Sequence, residues 1–179
     1  IYLKREDLSP VRSYKIRGAF NAMSKAIKSG ETKKFVCASA GNHAQGFAYA
    51  CQHFGVKGRI YMPVTTPQQK ITKTASFGGN TIEIIMQGDY FDETLKAALE
   101  YSENTGAAML PPFDHLDVIE GQASVGVEIL NQLESPPDMI ITPVGGGGLS
   151  SGLVKYFNSY EIQFKFCEPM GGRSLFESL

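Results

Sequence analysis

The stretch KKFVCASAGNHAQGFAYACQHF, Lys33 to Phe54, sets the fold class. Its first seven residues read as a short buried strand. From about Asn42 to Phe54 the apolar residues recur at helical spacing, so the segment is a strand, a polar turn and a helix. The same alternation runs outward on both sides. Upstream, Ile16, Ala19, Phe20, Met23 and Ile27 mark a helix that begins near Ser13 and stops at Gly30. Downstream come the strand RIYM, a helix from about Pro67 to Phe77, the strand TIEIIM, a helix from about Tyr90 to Asn104 and the strand AAML. A helix from about Val118 to Leu133, the strand MIITPV, a helix from about Leu149 to Phe157 and the strand IQFKFC complete the series. The opening residues, IYLKREDL, also read as a strand.

Short apolar strands alternating with helices predict an α/β fold, parallel sheet covered by helices on both faces. Ligands on such sheets sit where the loops after the strand carboxyl ends converge. That rule selects the loops after KKFVCA and MIITPV, together with whatever Lys15 reaches from its own helix start. LESPPD, Leu133 to Asp138, reads as a surface connection that ends a helix rather than as a long domain linker.

The 179 residues carry a formal net charge of -1, and the charges are mixed along the chain. This balance implies neither a nucleic acid nor a membrane surface as partner, and a small molecule is the default. Cys37, Cys51 and Cys167 are odd in number and far apart, which reads as free thiols in a reducing compartment. No apolar run reaches membrane-spanning length and the start lacks signal-peptide features, so the expected location is the cytoplasm, with an organelle as the alternative. The chain has no initiator methionine and reads as part of a larger protein.

Three places carry chemistry. Gly145, Gly146, Gly147 and Gly148 lie between a strand and a helix, where glycine lets several backbone N–H groups turn toward one anion. No Gly-Lys-Ser/Thr follows, so the loop is not a nucleotide P-loop. In SAGNH, Ser39 and Asn42 either cap the following helix or help to hold a carboxylate, and His43 beside them is either a structural hydrogen-bonding residue or a base. Lys15 stands at a helix start with Arg17 two residues on, a setting that disfavours the ammonium form. A neutral amine there is suited to forming a Schiff base with an aldehyde.

Taken in order, SYKIRGA, SAGNHAQG, PFD followed by GQASVGVEIL, and PVGGGGLSSG resemble the fold type II pyridoxal-phosphate enzymes, and within them the biosynthetic branch of the threonine dehydratase (threonine ammonia-lyase) family. The resemblance covers essentially the whole chain. It implies two open parallel-sheet α/β domains, a small one over residues 33–113 inserted into a large one formed by 1–32 and 114–179, with the cofactor between them. It further implies that Lys15 carries pyridoxal 5'-phosphate, that Tyr14 lies against the cofactor ring where phenylalanine is usual, and that Asn42 bonds the ring hydroxyl. Gly145 to Gly148 would hold the phosphate, and Ser39, Gly41, Asn42 and His43 would receive the substrate carboxylate.

The implied reaction converts L-threonine to 2-oxobutanoate and ammonia in isoleucine biosynthesis. The freed lysine removes the α proton, the β hydroxyl leaves, and the enamine hydrolyses. The implied assembly is a homo-oligomer, a dimer or tetramer. Ala40 stands where serine racemases of the family carry a second serine as opposite-face base, so elimination is expected over racemisation. Serine dehydratase, serine racemase and a β-replacement enzyme remain same-fold alternatives, and a non-catalytic phosphate-binding domain is the alternative outside the fold. Glu168 matches an acid that binds a divalent metal in racemase-like relatives, but MGGRSL supplies no further carboxylate, and a salt bridge or turn role is expected instead. The family's serine facing the cofactor's pyridine nitrogen has no counterpart here, so the expectation is an incomplete chain with exposed apolar sheet.

Overall fold

The computed structural model describes residues 1–30 and 34–179. The expected start of the first strand at Lys33 and the expected domain boundary between residues 32 and 33 lie outside the described residues. The elements are α1 (Lys15–Ser29), β1 (Lys34–Ala38), α2 (Asn42–Phe54), β2 (Lys57–Met62), α3 (Gln68–Gly78), β3 (Ile82–Met86), α4 (Phe91–Thr105), β4 (Ala108–Met109), α5 (Leu116–Gln132), β5 (Met139–Pro143), α6 (Gly148–Tyr156), β6 (Gln163–Cys167) and α7 (Ser174–Ser178). The strand expected at the N-terminus is not formed: residues 1–5 have no regular structure and Glu6–Leu8 make a 3-10 turn. Charged Lys4, Arg5, Glu6 and Asp7 interrupt the apolar run, and all four are drawn into ion pairs. Among the described residues, the short helix α7 and the 3-10 turns at Glu6–Leu8 and Gly79–Thr81 are elements the sequence pattern misses.

Two parallel sheets form. The first has the order β3-β2-β1-β4, with Val36 opposite Arg59 on one side and Met109 on the other. Both of its faces are covered, as the near-continuous burial of β1 requires. On one face α1 and α2 bring Met23, Phe47 and Cys51 against Phe35, Ile60 and Met62, and α3 adds Ile71 and Phe77. On the other, α4 lays Ala97 and Ala98 against Val36, Ala38 and Tyr61.

The second sheet pairs only β5 with β6, Ile140 opposite Phe164. One face packs against α5 and α6 through Val125, Ile140, Leu149, Leu153 and Phe157. The other face is open: burial along β5 alternates, and Ile141 is 68% exposed. Here the expected cover on both faces is missing, and apolar sheet faces solvent.

Helix α1 joins the two halves. It runs antiparallel to α5, with Arg17 near Glu128 at one end and Lys25 near Asp117 and Glu120 at the other. Mid-helix the two backbones nearly touch, since a Cβ on Gly121 would stand 2.7 Å from Gly18 Cα and 2.6 Å from the Arg17 carbonyl. Gln122 seals the contact by accepting the Gly18 N–H at 3.2 Å.

Candidate functional site

Lys15 begins α1 at the end of a tight turn. Ser9 Oγ accepts the Ser13 N–H at 2.9 Å and donates to the Ser13 carbonyl at 3.0 Å, and Arg12 adopts a left-handed φ of 57° between them. Ser13 Oγ in turn accepts the Lys15 N–H at 3.3 Å. Helix α2 reaches the same point because Gly46 has no side chain: a Cβ there would meet the Ile16 N at 3.0 Å. Lys15 is half-buried, and its Nζ donates to the Pro112 carbonyl at 2.6 Å, with the Tyr14 and Phe113 ring centroids at 5.4 and 5.7 Å.

Burial lowers the Lys15 pKa, which makes the ammonium easier to deprotonate than an exposed one. The direction is the expected one, but the cause differs. Arg17 was expected to repel the ammonium, yet its guanidinium turns to Glu6 and Glu128 and is neutralised there.

From α2, His43 comes to the same wall of the site. It is 3% exposed, and its Nε2 lies 2.9 Å from the Leu110 carbonyl, two residues before the carbonyl that Lys15 holds. Burial, opposed by that carbonyl and aided by the Lys15 charge, lowers the imidazole pKa to about 4. The ring is therefore neutral, Nε2 carries the proton, and Nδ1 is a buried acceptor without a hydrogen-bond partner among the described residues. Such a ring is a weak base, and its remaining lone pair, on Nδ1, is enclosed in the protein.

The capping alternative for Ser39 and Asn42 is not realised. Gly41 is the N-cap of α2, no side chain caps the helix, and Ser39 Oγ instead accepts the Gly41 N–H at 3.2 Å. Asn42 is exposed. The first intrahelical bond runs from the Gln45 N–H to the Gly41 carbonyl, so the N–H groups of Asn42, His43 and Ala44 point out of the helix end. An anion placed there would meet both those donors and the helix dipole.

The glycine loop presents a second cradle. Val144 N–H donates to the Cys167 carbonyl, and the next intramolecular donor in the loop is Ser151 N–H, to the Gly147 carbonyl at 2.8 Å. The N–H groups of Gly145, Gly146 and Gly147 donate to no group of the described residues. Gly147 has a φ of 81°, and a Cβ on Gly146 would stand 2.3 Å from the Phe113 ring. Phe113 thus touches the loop with one flank and approaches the Lys15 amine, linking the two. An open pocket of about 520 Å³ lies beyond the loop, toward Ser174, Leu175 and Ser178, and neither Lys15 nor His43 lines it.

Tyr14 packs into the cluster of α5 and α6, with burial raising its pKa, and its hydroxyl finds no hydrogen-bond partner among the described residues. Glu168 accepts the N–H groups of Leu175 and Phe176 at 2.8 and 3.0 Å, which is a helix-capping arrangement, and no metal-type cluster of acids, histidines and cysteines occurs among the described residues. Pro112, Phe113 and Leu110 were missed as site residues. Their signal was positional, because PPFD follows directly on the end of β4, where the strand-end rule points.

Three relatives share this framework. The biosynthetic L-threonine dehydratase of Mycobacterium bovis is 51% identical over 181 residues, an alignment that takes in 100% of this chain and 42% of the relative. The structure of the processed form of threonine deaminase isoform 2 from Solanum lycopersicum superposes with a TM-score of 0.89 at 42% identity, over 97% of this chain and 50% of that one. Serine racemase from Dictyostelium discoideum gives a TM-score of 0.87 at 31% identity, over 97% of this chain and 56% of that one. The chain therefore spans about half the length of the relatives it matches. The sequence profile described as pyridoxal-phosphate dependent enzyme matches residues 1–179, and the chain belongs to the pyridoxal-phosphate dependent enzyme family.

Proposed function

We propose that the protein carrying this chain converts L-threonine to 2-oxobutanoate and ammonia, the dehydratase step that supplies isoleucine biosynthesis. The observation that carries the reading is that a half-buried lysine with a lowered pKa and the glycine loop, with its free backbone donors, both lie against Phe113. Their chemistry fits the cofactor: an amine for its aldehyde, and the Gly145 to Gly147 N–H groups for its phosphate. Asn42, exposed beside them, would bond the ring hydroxyl, and Tyr14 would flank the ring. When bound, pyridoxal phosphate supplies the electron sink that makes the substrate's α proton removable.

The chain's own residues do the rest. The substrate carboxylate is held by the Asn42 and His43 N–H groups with Ser39 and Gly41 beside them. Lys15, its pKa lowered by burial, takes the α proton. Neutral His43 holds the Leu110 carbonyl and so keeps the Leu110–Phe113 wall in place. Movement of the inserted domain, 33–113, over the remainder would exclude water; the separation of the two sheets supports that division. A homo-oligomer in the cytoplasm completes the proposal.

Serine racemase is the second reading, favoured by the likeness of the backbone. Ala40 argues against it, since a methyl group cannot exchange a proton at the opposite face. The test is an absorbance spectrum of the whole protein with L-threonine or L-serine, with 2-oxo acid and D-serine followed in parallel. The expected result is a visible band that shifts with threonine and faster keto-acid release than from serine. Lys15→Ala removes both the band and turnover. A coloured, fully active Lys15→Ala protein refutes the assignment, and D-serine formation as fast as deamination replaces dehydratase by racemase.

A further inference from the structure

Two residues after Lys15, Arg17 makes five hydrogen bonds with one guanidinium. Nε and Nη2 reach Glu6 at 2.7 and 2.9 Å, Nη1 and Nη2 reach Glu128 at 2.7 Å each, and Nη1 also reaches Ser124 Oγ at 3.0 Å. Ser124 passes the contact on, donating to the Gly121 carbonyl at 2.7 Å, where α5 touches α1. Lys4 adds a second cation on Glu6 and Glu128. The cluster holds two cations and two carboxylates and is only partly exposed, with the Arg17 side chain at 19%.

We propose that Arg17 is the positioning residue for Lys15, acting through this clamp and not through its charge. Between Glu6 and Lys15 the chain is a turn, braced by Ser9 and strained at Arg12. Such a segment does not place an amine by itself. Arg17 closes it: the carboxylates of Glu6 and Glu128 seize the first turn of α1 from both sides, so the helix start cannot rotate or slide without breaking paired bonds. Lys15 Nζ then meets the Pro112 carbonyl at a fixed distance. Lysine at position 17 would keep the charge but cannot fork to two carboxylates at once.

The inference rests on Lys15 being the cofactor lysine. The test is Arg17→Lys in the whole protein, with Glu128→Gln as the milder second variant. Three quantities are read: the dissociation constant of pyridoxal phosphate by absorbance titration, kcat and KM for threonine separately, and the acylation rate of Lys15 relative to exposed Lys28 in the cofactor-free protein by peptide mass spectrometry. Displacement of the amine by about 1 Å is expected to lower kcat by about 10²-fold with KM little changed. Weaker cofactor binding and a changed Lys15 acylation ratio accompany it, with Glu128→Gln in the same direction and smaller. If Arg17→Lys does not fold, Glu128→Gln decides. A folded variant that loses thermal stability yet keeps kcat, the cofactor constant and the acylation ratio overturns the inference and leaves the cofactor reading intact; a wild-type protein without any visible band ends both.

Discussion

Around Lys15, neighbouring elements arrive through glycine and are then locked: α2 through Gly46, α5 through Gly121, with ionic clusters at both ends of α1. The sheet behind the glycine loop is built the other way. It has two strands, one covered face, and Ile141, Met139 and Phe166 left partly or largely exposed. The elements around the amine are packed against one another on several sides, whereas the sheet that carries the phosphate cradle is covered by one layer of helices. Small changes should therefore be costly at the first and cheap at the second, and three experiments probe that contrast.

The largest effect expected is on pH. His43 keeps a pKa of about 4 when folded, against the ordinary value of 6.5. Above pH 6.5 both the folded and unfolded states hold it neutral, and it adds no pH dependence. As pH falls below 6.5 the unfolded chain takes up the proton and the folded one does not, so stability drops, by on the order of 3 kcal/mol once pH 4 is reached. Glu128, held down to about 2 by Arg17, adds its own loss as pH falls from the ordinary 4.5 toward 2, so the window from 6.5 to 4.5 reports on His43. Urea unfolding at stepped pH should show the slope in the wild type and a flat line in His43→Gln; equal slopes would mean that the imidazole is not buried at the Lys15 wall.

Next in size is Gly121→Ala. Alanine is the better helix former by about 1 kcal/mol, but its Cβ would fall on the Arg17 carbonyl and Gly18 Cα, which are backbone atoms and cannot swing aside. A net loss of about 2 kcal/mol in urea is expected, with a weaker visible band, since α1 must move and carry Lys15 with it. A stabilised protein would show that the two helices are less tightly set than their contacts imply.

How far the sequence discloses this contrast depends on the range of the interaction. Strand and helix periods, being local, place most elements to within a residue or two, and the glycine loop and SAGNH stand out because their backbone chemistry is written in adjacent residues. Phe113 and the Pro112 carbonyl are invisible in that sense, because their partners lie far along the chain: Lys15 meets Pro112 across 97 positions. The same distance misled the reading of Arg17, whose charge is spent on Glu128, 111 positions away. The exposed face of β5 is not written in MIITPV, an apolar run that reads as covered on both sides; its exposure is expected only from the family elements this chain lacks.

The smallest effect tests that open face directly. Ile141 points away from α5 and α6, and at 68% exposure it has little apolar area left to lose. In this chain Ile141→Thr should change urea stability by less than about 0.5 kcal/mol, because threonine keeps the β-branched shape a strand favours and no buried contact is broken. Ile140, its neighbour, is 9% exposed and packs on Leu149 and Leu153, so the adjacent position supplies the control for the covered face. Repeating Ile141→Thr in the whole protein then separates two architectures. A cost that rises to about 1 kcal/mol or more means that chain beyond these residues, or a second copy, buries the face; an unchanged cost means that the phosphate cradle works on a sheet one side of which stays wet.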